Sequence, residues 1–100
     1  MSLIQTGVLE LNSTNPVAET GGDTSTFTRV TFPTPFPAGS TVIVIPAVQT
    51  FNGPQTPGIR IANVTTQGFL IRLNEVLVSS DIKSDGVHAT ETVGWIAATV

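Results

Sequence analysis

The sequence predicts an all-β fold, a six-stranded antiparallel β-sandwich, and its hydrophobic pattern and its length carry that expectation. Apolar residues recur with period two or in short β-branched runs, Pro and Gly bound those runs, and no stretch holds a 3.6-residue period. One hundred residues fit a single domain spanning 1–100. A chain of that length buries only about two thirds of the surface its unfolded form exposes, so its own core is thin.

Taken in order, Ile4-Gln-Thr-Gly-Val-Leu-Glu-Leu11 reads as a first strand, with Ile4, Thr6 and Val8 on one face and Leu9 and Leu11 on the other. Gly7 inside it marks a bulge or a close backbone approach. Asn12 to Thr26 is rich in turn-formers and nearly without apolar anchors, so it reads as a long loop, and long ordered loops often bind. Thr26-Phe-Thr-Arg-Val-Thr-Phe32 is a second strand that stops at Pro33, and Pro33, Pro35 and Pro37 hold an extended connection.

Thr41-Val-Ile-Val-Ile-Pro-Ala-Val-Gln49 follows. Because Val42 and Val44 point one way, Ile43 and Ile45 the other, and all four are apolar, a central position with both faces covered is expected. A thin domain covers one face with its own core and the other most cheaply with a further copy of itself, which makes Val42, Ile43, Val44 and Ile45 the expected subunit seam. Ile59 to Val64 and Gly68 to Glu75 form a hairpin around Thr65-Thr-Gln-Gly. Val76 to Ile82 extends that strand or makes a short edge, Ser79 to Gly86 is a polar loop, and Ala89 to Val100 holds the last strand.

Composition narrows the function. Charged residues make up 11% of the chain, against about 25% in an ordinary soluble domain, which suits an assembled protein. With four Lys+Arg and a net charge of −3, nothing neutralises a phosphate backbone, so nucleic acid is not an expected partner. No Sec-type signal and no apolar run of about 20 residues is seen, so membrane insertion is not expected either. Cysteine is absent, which removes disulfides and thiolate metal sites.

The residues that carry chemistry are few. His88 is the single histidine, with Glu91 three residues on and Glu75 across the sheet as carboxylates it can bond. No nucleophile and base pair, zinc motif or phosphate loop accompanies it, so no enzyme, metal or cofactor is expected. Asp81, Asp85 and Gly86 fall short of a calcium loop and read as a turn. Arg60 and Arg72 lie inside predicted strands, suited either to a carboxylate partner such as Glu75 or Glu91, or to sugar hydroxyls.

Four segments in this order, Val30-Thr-Phe-Pro-Thr-Pro-Phe36, Val42-Ile-Val-Ile45, Asn63-Val-Thr-Thr-Gln-Gly-Phe69 and Val93-Gly-Trp-Ile-Ala97, make residues 3 to 98 resemble the H-type lectin family of snail agglutinin and discoidin. The ending from Glu75 through His88 and Glu91 is most similar to the family's bacterial and phage modules. The resemblance implies a six-stranded sandwich, a parallel homotrimer with an apolar seam, and sugar bound near the protomer boundaries. It places Asp23 and Arg60 near two of the family's sugar-binding positions, while Glu75-Val76-Leu77 occupies the place of the family's Trp-His pair. The expected ligand-binding residues are therefore Asp23, Arg60, Arg72, Glu75 and His88. The expected protein is a non-catalytic trimeric lectin, on a phage particle, its tail or another extracellular surface. Its partners would be surface glycan or, in the alternative of a purely structural capsid or fibre trimer, other virion proteins.

Overall fold

A computed structural model describes residues 3–16, 20–76 and 85–100. Among these the chain is all β, with no helix and two three-stranded antiparallel sheets. The strands are β1 (Ile4–Ser13), β2 (Thr28–Thr31), β3 (Val42–Val48), β4 (Pro57–Ala62), β5 (Gly68–Glu75) and β6 (His88–Thr99). The first sheet runs β1-β6-β3 and the second β2-β5-β4. Their inward faces enclose one core, to which β1 and β6 give Leu11, Val93, Trp95 and Ala97, and β5 gives Phe69, Ile71 and Leu73.

The Pro-rich connection does more than span. Phe32 and Phe36 drop from it into the core while their amides donate to Gln67 O and Thr66 O of the β4-β5 turn. Phe32 thereby stacks near Phe36, Phe69 and Trp95, with ring centroids 5.1–5.8 Å apart, spacings at which tilted aromatic pairs gain beyond simple burial. Gly7 is the close approach rather than the bulge: a Cβ there would lie 2.2 Å from Trp95 Cζ2. The irregularity in β1-β6 pairing falls instead between Leu11 and Ser13.

The central place assigned to β3 is corrected. β6 holds the centre of its sheet and β3 is an edge. Pro46 gives the reason, since it has no N–H to donate to a strand on its other side and an edge is where that lack costs least. Alternation then divides the expected seam. Val42 and Val44 pack against the core, whereas Ile43 and Ile45 stand outside, Ile45 at 59% exposure. With Ile4, Val8 and Ile96, also exposed, they form an apolar outer face on which Ile4, Ala98 and Ile43 share one row and Thr6, Ile96 and Ile45 the next.

Candidate functional site

The outer face of the second sheet is built differently. Phe69, Ile71 and Leu73 point inward, so the intervening Leu70, Arg72 and Asn74 of β5 point outward. Arg60 stands opposite Arg72, and Arg29 opposite Leu70, which puts all three arginines of the chain on this one face. Like charges directly across a strand pair repel. Among the described residues no ion pair offsets any of them.

Arg72 is 5% exposed and is covered by the chain between β1 and β2. Its Nη1 donates to Thr26 Oγ1 at 2.9 Å and its Nη2 to Asn15 O at 3.3 Å and to Pro16 O. One guanidinium thus pins both ends of that loop to the sheet, a task its planar fork performs better than an ammonium would. The expectation of a carboxylate partner for Arg72 does not hold: Glu75 points inward with Leu73, and Glu91 belongs to the other sheet. Every partner of Arg72 is a neutral oxygen, and its Nε has none, nor does the buried Asn74 Oδ1 two residues on.

The pinned loop walls a hollow of about 180 Å³ over β4, lined by Thr20 to Thr24, Phe27, and Arg60 to Asn63. Two successive turns shape its rim, closed by Asp23 N to Thr20 O and Phe27 N to Thr24 O. Gly22 takes φ +85° in the first, a conformation open to glycine at little cost. Asp23 Oδ1 accepts from Ser25 N at 3.1 Å, and the bonds from Ser25 hold its carboxyl below the usual carboxylate range. At neutral pH it is an ionised acceptor, and the exposed Arg60 lines the same hollow. On the far side Asn63, at φ 51°, ends β4 in the left-handed region that Asn tolerates.

Two of the five expected ligand-binding residues, Asp23 and Arg60, therefore share one hollow. Arg72 stands behind it as the residue that holds the loop. Glu75 and His88 are elsewhere, and their assignment to the ligand site is corrected by their surroundings. His88 Nδ1 lies 3.0 Å from Glu75 Oε2 and Nε2 lies 2.7 Å from Glu91 Oε2, with all three side chains buried. Both ring nitrogens are engaged, leaving neither for a ligand. The bonds to Glu91 and Glu75 are those the sequence proposed for His88.

Spacing alone would set His88 and Glu91, three residues apart in one strand, on opposite faces. The register shows how they meet: Leu11 pairs with Glu91 and Ser13 with His88, so β6 spends three steps where β1 spends two. That bulge turns His88 back to the inward side. The group ties β5 to β6 and also anchors the β3-β4 loop. Glu91 accepts from Thr50 Oγ1 at 2.7 Å and from Asn52 N at 3.0 Å, and Gln55, its amide nitrogen turned to Glu75, donates to both carboxylate oxygens at 2.6 and 2.7 Å.

Burial by itself opposes a charge on His88, but the hydrogen bonds and negative charges of Glu75 and Glu91 outweigh it and raise its pKa above the ordinary value. Burial likewise works against Glu91, yet its bonds from His88, Thr50 and Asn52 hold it below the usual range. The group is a buried tie in which one imidazole bridges the carboxyl groups of Glu75 on β5 and Glu91 on β6.

Asp85 Oδ1 accepts from Val87 N at 2.9 Å, closing the turn expected at that place; Asp81 lies outside the described residues. Among the described residues no group of three or more His, Cys, Asp or Glu is arranged to hold a metal ion, and no helix is long and apolar enough to cross a membrane.

Phe27 and Asn63 are two further lining residues, not among those expected to bind ligand, that could take part in recognition. Phe27 carried a signal, being the one aromatic beside the long loop, but its alternation with Arg29 and Thr31 made it look like an ordinary strand residue. Asn63 opens the Asn63 to Phe69 segment of the hairpin, which points to fold rather than to a ligand. No family model, no curated protein and no solved structure matches the chain.

Proposed function

We propose that the protein is a non-catalytic carbohydrate-binding module of H-type lectin-like sandwich architecture, in which the hollow between Asp23 and Arg60 receives a sugar. Support comes from one observation: two residues 37 positions apart in sequence, one on a loop and one on β4, line the same small hollow together with Phe27 and Asn63. Sugar recognition calls for fixed donors and acceptors beside an apolar surface. Arg60 donates, Asp23 accepts, Asn63 does both, and Phe27 supplies an aromatic surface that the missing Trp-His pair would have provided.

Further copies of the chain are the proposed cover for the outer face of the β1-β6-β3 sheet, as a homotrimer. Exposed Ile4, Val8, Ile43, Ile45 and Ile96 form a contiguous apolar surface of the sort that marks an interface. Three weak sites on one particle engage a glycan surface together and gain by multivalency, and a phage particle or its tail is the setting such a module would serve. The same apolar face also favours the second reading, a structural virion trimer that binds no sugar.

A glycan array, read beside the mass in solution, tests both. Binding to an array surface by a trimer, lost in Arg60→Ala with the mass unchanged, is the expected result. A trimer that ignores every glycan but binds capsid or tail proteins puts the structural reading in its place, and a monomer at micromolar concentration removes the assembly from either.

A further inference from the structure

The charges of this acidic chain are sorted by face, and the sorting bears on which sugars the hollow takes. Its net charge is −3, yet Arg29, Arg60 and Arg72 all stand on the outer face of the β2-β5-β4 sheet. Glu75 and Glu91 are consumed by His88, and Glu10 stands on the other sheet, bonded to Thr92. Among the described residues, Asp23 is the one carboxylate lining the arginine hollow, and it makes no ion pair with Arg60.

Among the described residues no carboxylate pairs with Arg72. Its guanidinium is bonded to Thr26 Oγ1, Asn15 O and Pro16 O, all neutral, and its Nε is buried without a partner. A buried charge left without a counter-charge acts strongly at short range, because little water intervenes to screen it. Arg60 lies directly across from it on β4, exposed and free of ion pairs, with its fork available to an oxyanion. The lining of the hollow sets one carboxylate, Asp23, beside one guanidinium, Arg60, and Arg72 and Arg29 on the same face add positive charge around them.

On the basis of the saccharide reading above, we infer that the hollow takes an acidic sugar, a ring carrying one carboxylate, with Arg60 receiving the carboxylate and Asp23 and Asn63 the ring hydroxyls. A single carboxylate meets Asp23 with one unit of repulsion while it draws on Arg60 and the arginines beside it. A dianionic phosphate would meet Asp23 with twice the repulsion, and a neutral sugar would leave the arginines without a counter-ion. The planar fork of Arg60 suits a carboxylate in two parallel hydrogen bonds, and Phe27 offers its ring to the apolar side of the sugar. Arg72 and Arg29 act as neighbours that set the sign of the local field.

The test uses the full chain and isothermal titration with short oligosaccharides of galacturonate, glucuronate and sialic acid, each against its own methyl ester, which keeps the ring and removes the charge. At least one acid should bind roughly tenfold more tightly than its ester at low salt. That advantage should shrink as sodium chloride approaches 0.5 M. Arg60→Gln, a substitution at an exposed position, should bring the acid down to the level of the ester. Equal affinities for acid and ester, unchanged by Arg60→Gln, overturn the charge preference while leaving a sugar-binding hollow in place. Binding of tripolyphosphate as tight as that of the best acid overturns it in another way, by making the hollow a general anion trap. If neither acids nor esters bind, this inference falls, and the neutral members of the glycan array then decide the broader reading separately.

Discussion

The two sheets present outer faces that differ in nearly every respect. On β1-β6-β3 the outward residues include the exposed and apolar Ile4, Val8, Ile43, Ile45 and Ile96. On β2-β5-β4 they include three arginines, partly roofed by the chain's own loop, with Arg72 holding the roof down. A bare apolar face is satisfied only by another apolar face, whereas a roofed cationic face has room for something small and oppositely charged. In the proposed function this contrast gives assembly to one sheet and ligand to the other, and each half of the proposal can be broken separately.

The largest effect should come from neighbouring residues of β3. Val44→Asp puts a carboxylate against the core and should unfold the protein, at a cost of about 4 kcal/mol or more, because an unpaired buried charge is among the most destabilising changes known. Ile45→Asp, one residue away, faces outward and should leave the monomer fold intact by circular dichroism while lowering the mass seen in sedimentation. If both variants unfold, or neither changes the mass, the bare face is not a seam.

Next in size is Arg72→Met, which keeps much of the side-chain length and removes three donated bonds. Hydrogen bonds to a charged group contribute about 1.5–3 kcal/mol each at best, and relief of the Arg60-Arg72 repulsion offsets part of that loss. A net destabilisation of about 2 kcal/mol in urea unfolding is expected, with faster amide exchange in residues 13–16 and 20–26. Unchanged exchange there would mean that the loop is held by something other than Arg72.

A pH titration of stability then isolates the buried tie between the sheets. His88 has a folded pKa raised above 6.5, so its contribution is complete below 6.5 and is lost as pH rises through the raised value. Glu91 has one lowered from 4.5, so its contribution is present above 4.5 and is lost as pH falls through the lowered value. Stability should therefore peak between about pH 4.5 and 6.5, and His88→Gln should remove the decline on the alkaline side. A wild-type profile that stays flat from pH 6 to 9 would show that His88 carries no charge in the folded protein.

How far these features could be read from the chain depended on whether they were local. β5 matches its expected Gly68 to Glu75 span to the residue, because a turn precedes it and Phe69, Ile71 and Leu73 keep a period of two. The position of β3 was misplaced because alternation tells which faces are apolar and nothing about lateral neighbours; Pro46 held that information and the β-branched run obscured it. His88 and its carboxylates were visible as residue types, but the bulge opposite Ser13 that lets Glu91 join them is a property of pairing register, which single-strand periodicity does not contain. Asp23 and Arg60 were each placed by the family resemblance, Arg60 also by its charge inside a strand, and nothing local showed that they share a hollow. Phe27 and Asn63 joined them only once the loop had folded over β4, a long-range contact that local pattern cannot reveal.

The smallest expected effect is also the sharpest test of the charge on the ligand face. Asp23→Asn keeps an oxygen that can accept from Ser25 N, as Asp23 Oδ1 does at 3.1 Å, so the turn should persist and stability should stay within about 0.5 kcal/mol. What changes is the hollow's one negative charge. If an acidic sugar places its carboxylate some 6 Å from Asp23 in a solvent-exposed site, the repulsion removed is about 0.7 kcal/mol at the dielectric of water, roughly a threefold gain in affinity. The methyl ester of the same sugar, lacking that charge, should gain nothing and should weaken slightly, since an amide oxygen is a poorer acceptor for ring hydroxyls than a carboxylate. Acid and ester must therefore move in opposite directions in this variant. If both weaken together, Asp23 serves only as a hydroxyl acceptor and the arginines opposite it do not select for charge.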